Sequence, residues 1–400
     1  MNNNKLLLIF AATTLFASSC KKENDPTPDE PAILPLALSE QITTKTILED
    51  RVSNPTLPDY IVDKSVLVKS ELTIKPGVTI AFARDTRFDV SSGGGVLIAR
   101  GEAAKKIRFV GAEPTKGFWQ GIVISSESNA NELDQVEILN AGSRATYSTV
   151  KAGLALLGKA QSSLKNSLIS LSDGYGLHVF DGASLNAFAT NTFSKNTEAG
   201  VYVSAENVKK LDAASVFSSE NGRNVVEITK SSLSESATED VWAGFADKTP
   251  YRITSDLSVH RGLKLSPGVT LQMGRDVVFR IEGKGYLNAV GTADKRITLT
   301  GAEAQAGFWR GLNFSFTPSP QNVLDHVTIS NGGSITMVSG QKANVGVNGT
   351  NAVATIKNCT ITGSGGYGIF LDFYAKEKVN KDIATANSFE ANAQGNMKAE

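Results

Sequence analysis

Three histidines, His178, His260 and His326, are the only imidazoles in the 400-residue chain, and no two stand at a spacing that lets them share a metal ion. His178 lies in the middle of a short strand-like run, where alternation turns it outward as an ordinary strand residue. Cutting a glycosidic bond takes two carboxylates facing each other across it, one acid and one base. A calcium-assisted lyase takes an acidic cluster plus a base that removes a proton beside a carboxylate. No cluster of acids recurs at a spacing that would assemble either device. The acids with the clearest partners are Asp134 and Asp325, in Leu133-Asp134-Gln135-Val136 and Leu324-Asp325-His326-Val327. They are candidate ligand contacts, weighed against aspartates that bond turn amides. Glu113 and Glu303, in Gly-Ala-Glu turns, are weighed the same way. Trp119 and Trp309, each in Gly-Phe-Trp-x-Gly, are candidate sugar-stacking rings, weighed against packing over a corner. No motif calls for a cofactor or a metal.

These residues belong to a long duplication. Pro76-Gly77-Val78-Thr79 recurs as Pro267-Gly268-Val269-Thr270, Gly117-Phe118-Trp119 as Gly307-Phe308-Trp309, and Gly174-Tyr175-Gly176 as Gly366-Tyr367-Gly368, at offsets of 190–192. A shorter period of 24 runs inside: Ile169, Phe193 and Phe217 in one series, Gly176, Gly200 and Asn224 in another. Repeats of this size mark stacked solenoids. The apolar runs are short, β-branched and bounded by Gly, Asn, Ser and Asp, too short for helical repeats. The expected fold is all-β: a right-handed parallel β-helix solenoid of two tandem copies of a module of about 190 residues. Residues 35–230 form the first module, its cap at about 35–60, and 231–400 the second, continuous with it. About fifteen coils are expected, with Asn191, Asn196, Asn221 and Asn224 at corners, where asparagine tolerates left-handed backbone and bonds its neighbours above and below. Beyond Tyr367 the second copy reads as lacking one coil, with Phe389 matched to Phe217. Tyr175, Tyr202 and Tyr367 read as stacking-ladder residues and Cys359 as a small buried apolar residue.

The ends are of a different kind. Residues 1–19 read as a signal peptide: Lys5, an apolar run at 6–16, then Ala17-Ser18-Ser19. Cys20, directly after it, resembles the acylated cysteine of bacterial lipoproteins, although Ala17 stands where that signal usually has Leu. Residues 20–34, charged and proline-rich, form a flexible tether. Lys21-Lys22-Glu23-Asn24-Asp25 resembles the tag that sends Bacteroidetes-type lipoproteins to the cell surface. These features imply an outer-membrane, outward-facing protein held at the membrane by its lipid. Forty basic residues balance forty acidic ones without a clustered basic face, so no nucleic-acid partner is expected.

The run Leu72-Thr73-Ile74-Lys75-Pro76-Gly77-Val78-Thr79-Ile80, then Gly93-Gly94-Gly95, then Gly117-Phe118-Trp119-Gln120-Gly121, resembles β-helix lipoproteins of Bacteroidetes. The resemblance implies the pectate-lyase-like fold but not its chemistry. The Asp-Asp and Gly-His-Gly signatures of polygalacturonase-like hydrolases are absent. The expected function is therefore a non-catalytic surface rod that binds or presents, its partner an extracellular polysaccharide or an envelope protein. The alternatives are a polysaccharide lyase or hydrolase with an unfamiliar site, and a structural spacer or adhesin.

Overall fold

A computed structural model describes residues 33–400. Strands of two to six residues, such as Arg87–Val90 and Val96–Arg100, alternate buried and less buried side chains. That is the period-two pattern of a sheet with one face on a core. Every pair of strands is parallel, and each strand bonds to the strand one coil away. Strands so short cannot bury a core alone; stacked, they enclose one, and a single apolar cluster runs from Ile42 to Ile383. The chain is an all-β parallel β-helix.

Each coil has three faces. One is a continuous sheet of fourteen strands from Gln41–Ile42 to Ser388–Glu390. Fourteen strands at about 4.8 Å give a rod of roughly 60 Å. A second face is an eight-stranded sheet followed by a five-stranded one, and the third is six strands, then seven. The break on the third face is the four-residue helix Ala205–Val208, which takes a strand's place: Asn207 bonds Leu185 N below it, and Ser231 Oγ accepts from Ala205 N above.

That helix turns the repeated motifs out of phase with the frame. Tyr60–Val62 lies in the eight-stranded sheet, whereas its sequence counterpart Tyr251–Ile253 lies in the fourteen-stranded one. Twenty-one strand steps plus the helix separate them, which is seven coils and one face more. The matching residues therefore sit one face around the rod.

The 24-residue period holds only where turns are short. Leu177 pairs with Val201, 24 positions on, but Phe88 pairs with Ile122, 34 on, and Tyr251 with Leu271, 20 on. Ladder spacing fixes the strands, while turns at the surface accept insertions freely. Val201 pairs with Val226 across an irregular register, one residue later than the period predicts. The expected cap at 35–60 is itself a coil, with strands Leu36–Ala37, Gln41–Ile42 and Thr46–Leu48 in register on the next. No coil is lost after Tyr367. Phe389 pairs with Ile361 as Phe193 pairs with Ile169, so its counterpart is Phe193 rather than Phe217.

Asn191, Asn196 and Asn221 bond the coils above and below as expected, but the left-handed backbone falls one residue earlier. The left-handed corners are their neighbours Thr190, Lys195 and Glu220 (φ 56°, 56° and 57°). Asn191, Asn196 and Asn221 follow, buried, and their amides bond backbone from coil to coil: Asn191 Oδ1 accepts from Ser167 N, Asn196 Oδ1 from Ser172 N, Asn221 Oδ1 from Asn196 N. Buried backbone groups at a bend need such partners.

Candidate functional site

Trp119 and Trp309 are fully buried. Trp119 stacks on Phe82 at 3.9 Å between centroids and donates Nε1–H to Leu139 O at 2.7 Å. Trp309 donates to Ser330 O at 2.8 Å. Gly121 and Gly311, two positions on, have φ of 123° and 131°, and a Cβ on either would meet a carbonyl oxygen of the next coil within 2.6 Å. The glycines thus seat the turn and the indoles fill the corner. A ring with no exposed face cannot stack a sugar, so neither tryptophan is a binding residue.

Asp134 and Asp325 are corner braces. Each accepts from an asparagine one coil on, Asn166 at 2.8 Å and Asn358 at 2.9 Å, and pairs with Lys165 or Lys357. These partners are side chains, not the turn amides expected. Partial burial acts to raise the Asp325 carboxyl, but Asn358, Lys357 and His326 outweigh it and hold it below the usual carboxylate range. Glu113 and Glu303 are exposed beside Arg84 and Arg275, which lie over Phe118 and Phe308. Cys359 is buried, and burial raises its thiol to about 11. Cys20 lies outside the described residues. Among the described residues, no three His, Cys, Asp or Glu side chains come close enough to hold a metal ion.

The structure assembles a different constellation, on the outer side of the fourteen-stranded sheet. Leu177, Val179, Val201 and Val203 point into the core, so His178 and Tyr202 point out. Tyr175, before Gly176, joins them: its ring stacks on Tyr202 at 4.7 Å and 15°, and Tyr202 in turn stacks on His178 at 5.3 Å. His178 faces outward yet is 2% exposed. It is walled in by Tyr202 and by Phe180, on whose edge Tyr147 packs. Burial without a partner for Nδ1 pushes its imidazole down to about 4.

Beside the rings opens a cleft of about 410 Å³, lined among others by Lys151, Asp173, Tyr175, Thr197, Glu198 and Tyr202. Its polar groups are fixed by one another. Lys151 Nζ donates to Asp173 at 2.8 Å, and Thr197 Oγ1 to the same carboxylate at 3.1 Å. Arg223 bonds Glu198, Glu227 (2.6 Å) and the Tyr175 hydroxyl (3.1 Å), while that hydroxyl donates to Glu227 at 2.7 Å. Burial, then the Glu227 charge, holds the Tyr175 phenol far above its usual value. Burial opposes the charge on Arg223, but its carboxylates outweigh that and keep it protonated. Tyr175 keeps its proton and donates it in a hydrogen bond to Glu227, and the carboxylates are held by cations.

No family model, curated protein or solved structure matches the chain.

The cleft has no twin at the matching motif. Gly365 stands where Asp173 does, Phe370 where His178 does and Lys398 where Tyr202 does; Phe370 is buried against Val338, and Lys398 lies 5.6 Å over the Tyr367 ring. Tyr175 and Tyr202 do stack, as expected. Lys151, Asp173, Glu198, Arg223 and Glu227 carried no motif. Their one signal is a spacing of 24 or 25: Asp173 to Thr197, Glu198 to Arg223 and Tyr202 to Glu227.

Proposed function

We propose that this protein is a lipid-anchored, outward-facing envelope rod that binds an extracellular neutral glycan in the Tyr175–Tyr202 cleft without cleaving it. The observation that carries the reading is the ring stack Tyr175–Tyr202–His178, flanked by mutually fixed Lys151–Asp173 and Arg223–Glu198 pairs. Sugars present hydroxyls around the rim of a ring whose faces carry apolar C–H groups. Rigid aromatic edges beside preset donors and acceptors suit such a ligand, because little ordering remains to be done on binding. With Glu227, which Arg223 also holds, the charged groups are three acids against two bases, so a polyanionic glycan is disfavoured. The signal-like N-terminus, Cys20 and the charged tether support the placement at the outer membrane. The family resemblance, pectate-lyase-like, supports a polysaccharide as ligand.

The test is retention on a panel of immobilised neutral polysaccharides, wild type against Tyr202→Ala. At least one polymer should retain the wild type and release the variant. Failure of every polymer, or equal retention of both chains, refutes the reading. New reducing ends would instead support a hydrolase. A protein partner is the second reading, favoured by the exposed pair Phe373 and Tyr374, 61% and 56% exposed, with Lys376 Nζ 4.4 Å over the Phe373 ring.

A further inference from the structure

A cavity of about 630 Å³ opens beside the Pro267-Gly268 turn, walled by Phe245, Lys248, Tyr251, Val269 and Lys295. The chain contains its own reference for this place. At the matching turn, Gly77 N–H donates to Lys105 O at 2.9 Å. A Cβ on Gly77 would lie 2.5 Å from Asp50 Oδ2, and Lys105 Nζ stands 3.7 Å from that oxygen. The Asp50 carboxylate thus lies over the glycine and neutralises the lysine.

The second turn keeps the frame and loses the carboxylate. Lys295 closes a turn with Thr292, as Lys105 does with Glu102. Trp242 pairs with Leu265 as Leu48 pairs with Ile74, so the place of Asp50, two residues on, falls to Gly244. The chain after it leans the other way: Phe245 packs on Phe217 at 4.4 Å, and Asp247 accepts from Phe217 N and Ser218 N. A Cβ on Gly268 would meet nothing nearer than Lys295 Cβ at 3.9 Å. Gly268 N–H finds no acceptor among the described residues. Lys248 and Lys295 have no ion pair there, and no carboxylate lines the cavity. Lys248 also holds φ of 61°, a conformation costly for a residue other than glycine. Two unpaired ammonium groups and a free backbone amide make a site for an anion. The volume accommodates a sugar ring, within the usual range for small-ligand sites.

We propose that this cavity binds the carboxylate of an acidic pyranose sugar, which takes the place that Asp50 holds at the first turn. The site is separate from the Tyr175–Tyr202 cleft and does not rest on it. The test is calorimetric titration of the full chain at low salt with glucuronate, with trigalacturonate and with glucose. The two acids distinguish a free sugar acid from a polymer. At least one should bind ten times more tightly than glucose. Lys248→Gln/Lys295→Gln, both exposed positions, should weaken that binding at least tenfold with an unchanged circular dichroism spectrum, and Tyr202→Ala should leave it intact. Acids that bind no better than glucose, or a double variant that binds as well as wild type, overturn the proposal. Loss of acid binding in Tyr202→Ala overturns it too, because that assigns the acid to the other cleft.

Discussion

Tyr175 and Tyr202 are 27 positions apart in sequence and stack face to face, with centroids 4.7 Å and planes 15° apart. The pair sits between Arg223 and His178, so the two rings form a rigid rib on the rod's flank. Tyr202→Ala removes the middle ring. The expected result is loss of neutral-glycan retention by at least tenfold, with a stability cost that includes about 0.5–1.5 kcal/mol for the lost ring pairing. Affinity electrophoresis alongside urea unfolding measures both, and a variant that unfolds before it loses affinity contradicts the assignment.

Trp119 and Trp309 are core residues, so truncating them acts on stability and not on binding. Trp119→Ala should cost about 3–5 kcal/mol. Trp119→Phe keeps an aromatic ring but leaves Leu139 O without its donor, at a cost of about 1–3 kcal/mol. Chemical denaturation gives both values. A change in glycan affinity without a change in unfolding midpoint would show that the buried indole has been misread.

His178 couples folding to pH. Its imidazole titrates at about 4 in the folded chain, against about 6.5 unfolded. Between those values the unfolded state binds the extra proton, so stability falls as pH drops from about 6.5 towards 4 and is flat above. The full effect is about 3 kcal/mol. His178→Phe, the residue type at the matching position Phe370, should remove that component. The measurement is the difference between wild type and variant in unfolding free energy at pH 7 and pH 4.5, and equal slopes in both chains rule the coupling out.

Where the frame shifts by one face, Asp240 is fully buried, with Lys209 Nζ at 2.9 Å and Arg261 Nη1 at 3.3 Å; Arg261 also holds Glu206. Arg261→Met should cost about 3–5 kcal/mol, because it strips a buried carboxylate of a partner. Adding Asp240→Asn should restore part of that loss. Urea unfolding of the single and double variants decides it. A cost under about 1 kcal/mol is the value of an exposed pair and would show that this cluster adds no more than one.

The lipid anchor predicts a change of compartment. Cys20→Ala should release the protein from the membrane fraction, since acyl chains hold a protein by burying methylenes at about 0.8 kcal/mol each. Fractionation followed by immunoblotting reads it out, and unchanged partitioning removes the anchor from the proposed function.

The coiled parallel architecture was legible in the sequence because stacking imposes a period: Ile169 pairs with Phe193 at the spacing they show, and the Phe217 ring stacks on that of Phe193 one coil further on. The equivalence of Asp134 and Asp325 was legible too, since the same four-residue pattern returns at the same kind of bend, but their side-chain partners Asn166 and Asn358 were not. Burial at Trp119, the ring stack on His178 and the cleft charges were not. They depend on which face of which coil a residue reaches, and insertions such as the 34-residue step from Phe88 to Ile122 shift that without changing the local pattern. Periodicity in the chain determined that strands stack around an apolar axis, because each short strand must hydrogen-bond and bury one side. Only the tertiary structure decided what faces what. The helix Ala205–Val208 fills a strand's place and turns the second set of motifs one face around, and the Tyr175–Tyr202 cleft is built from residues that meet only once the coils are laid one on another.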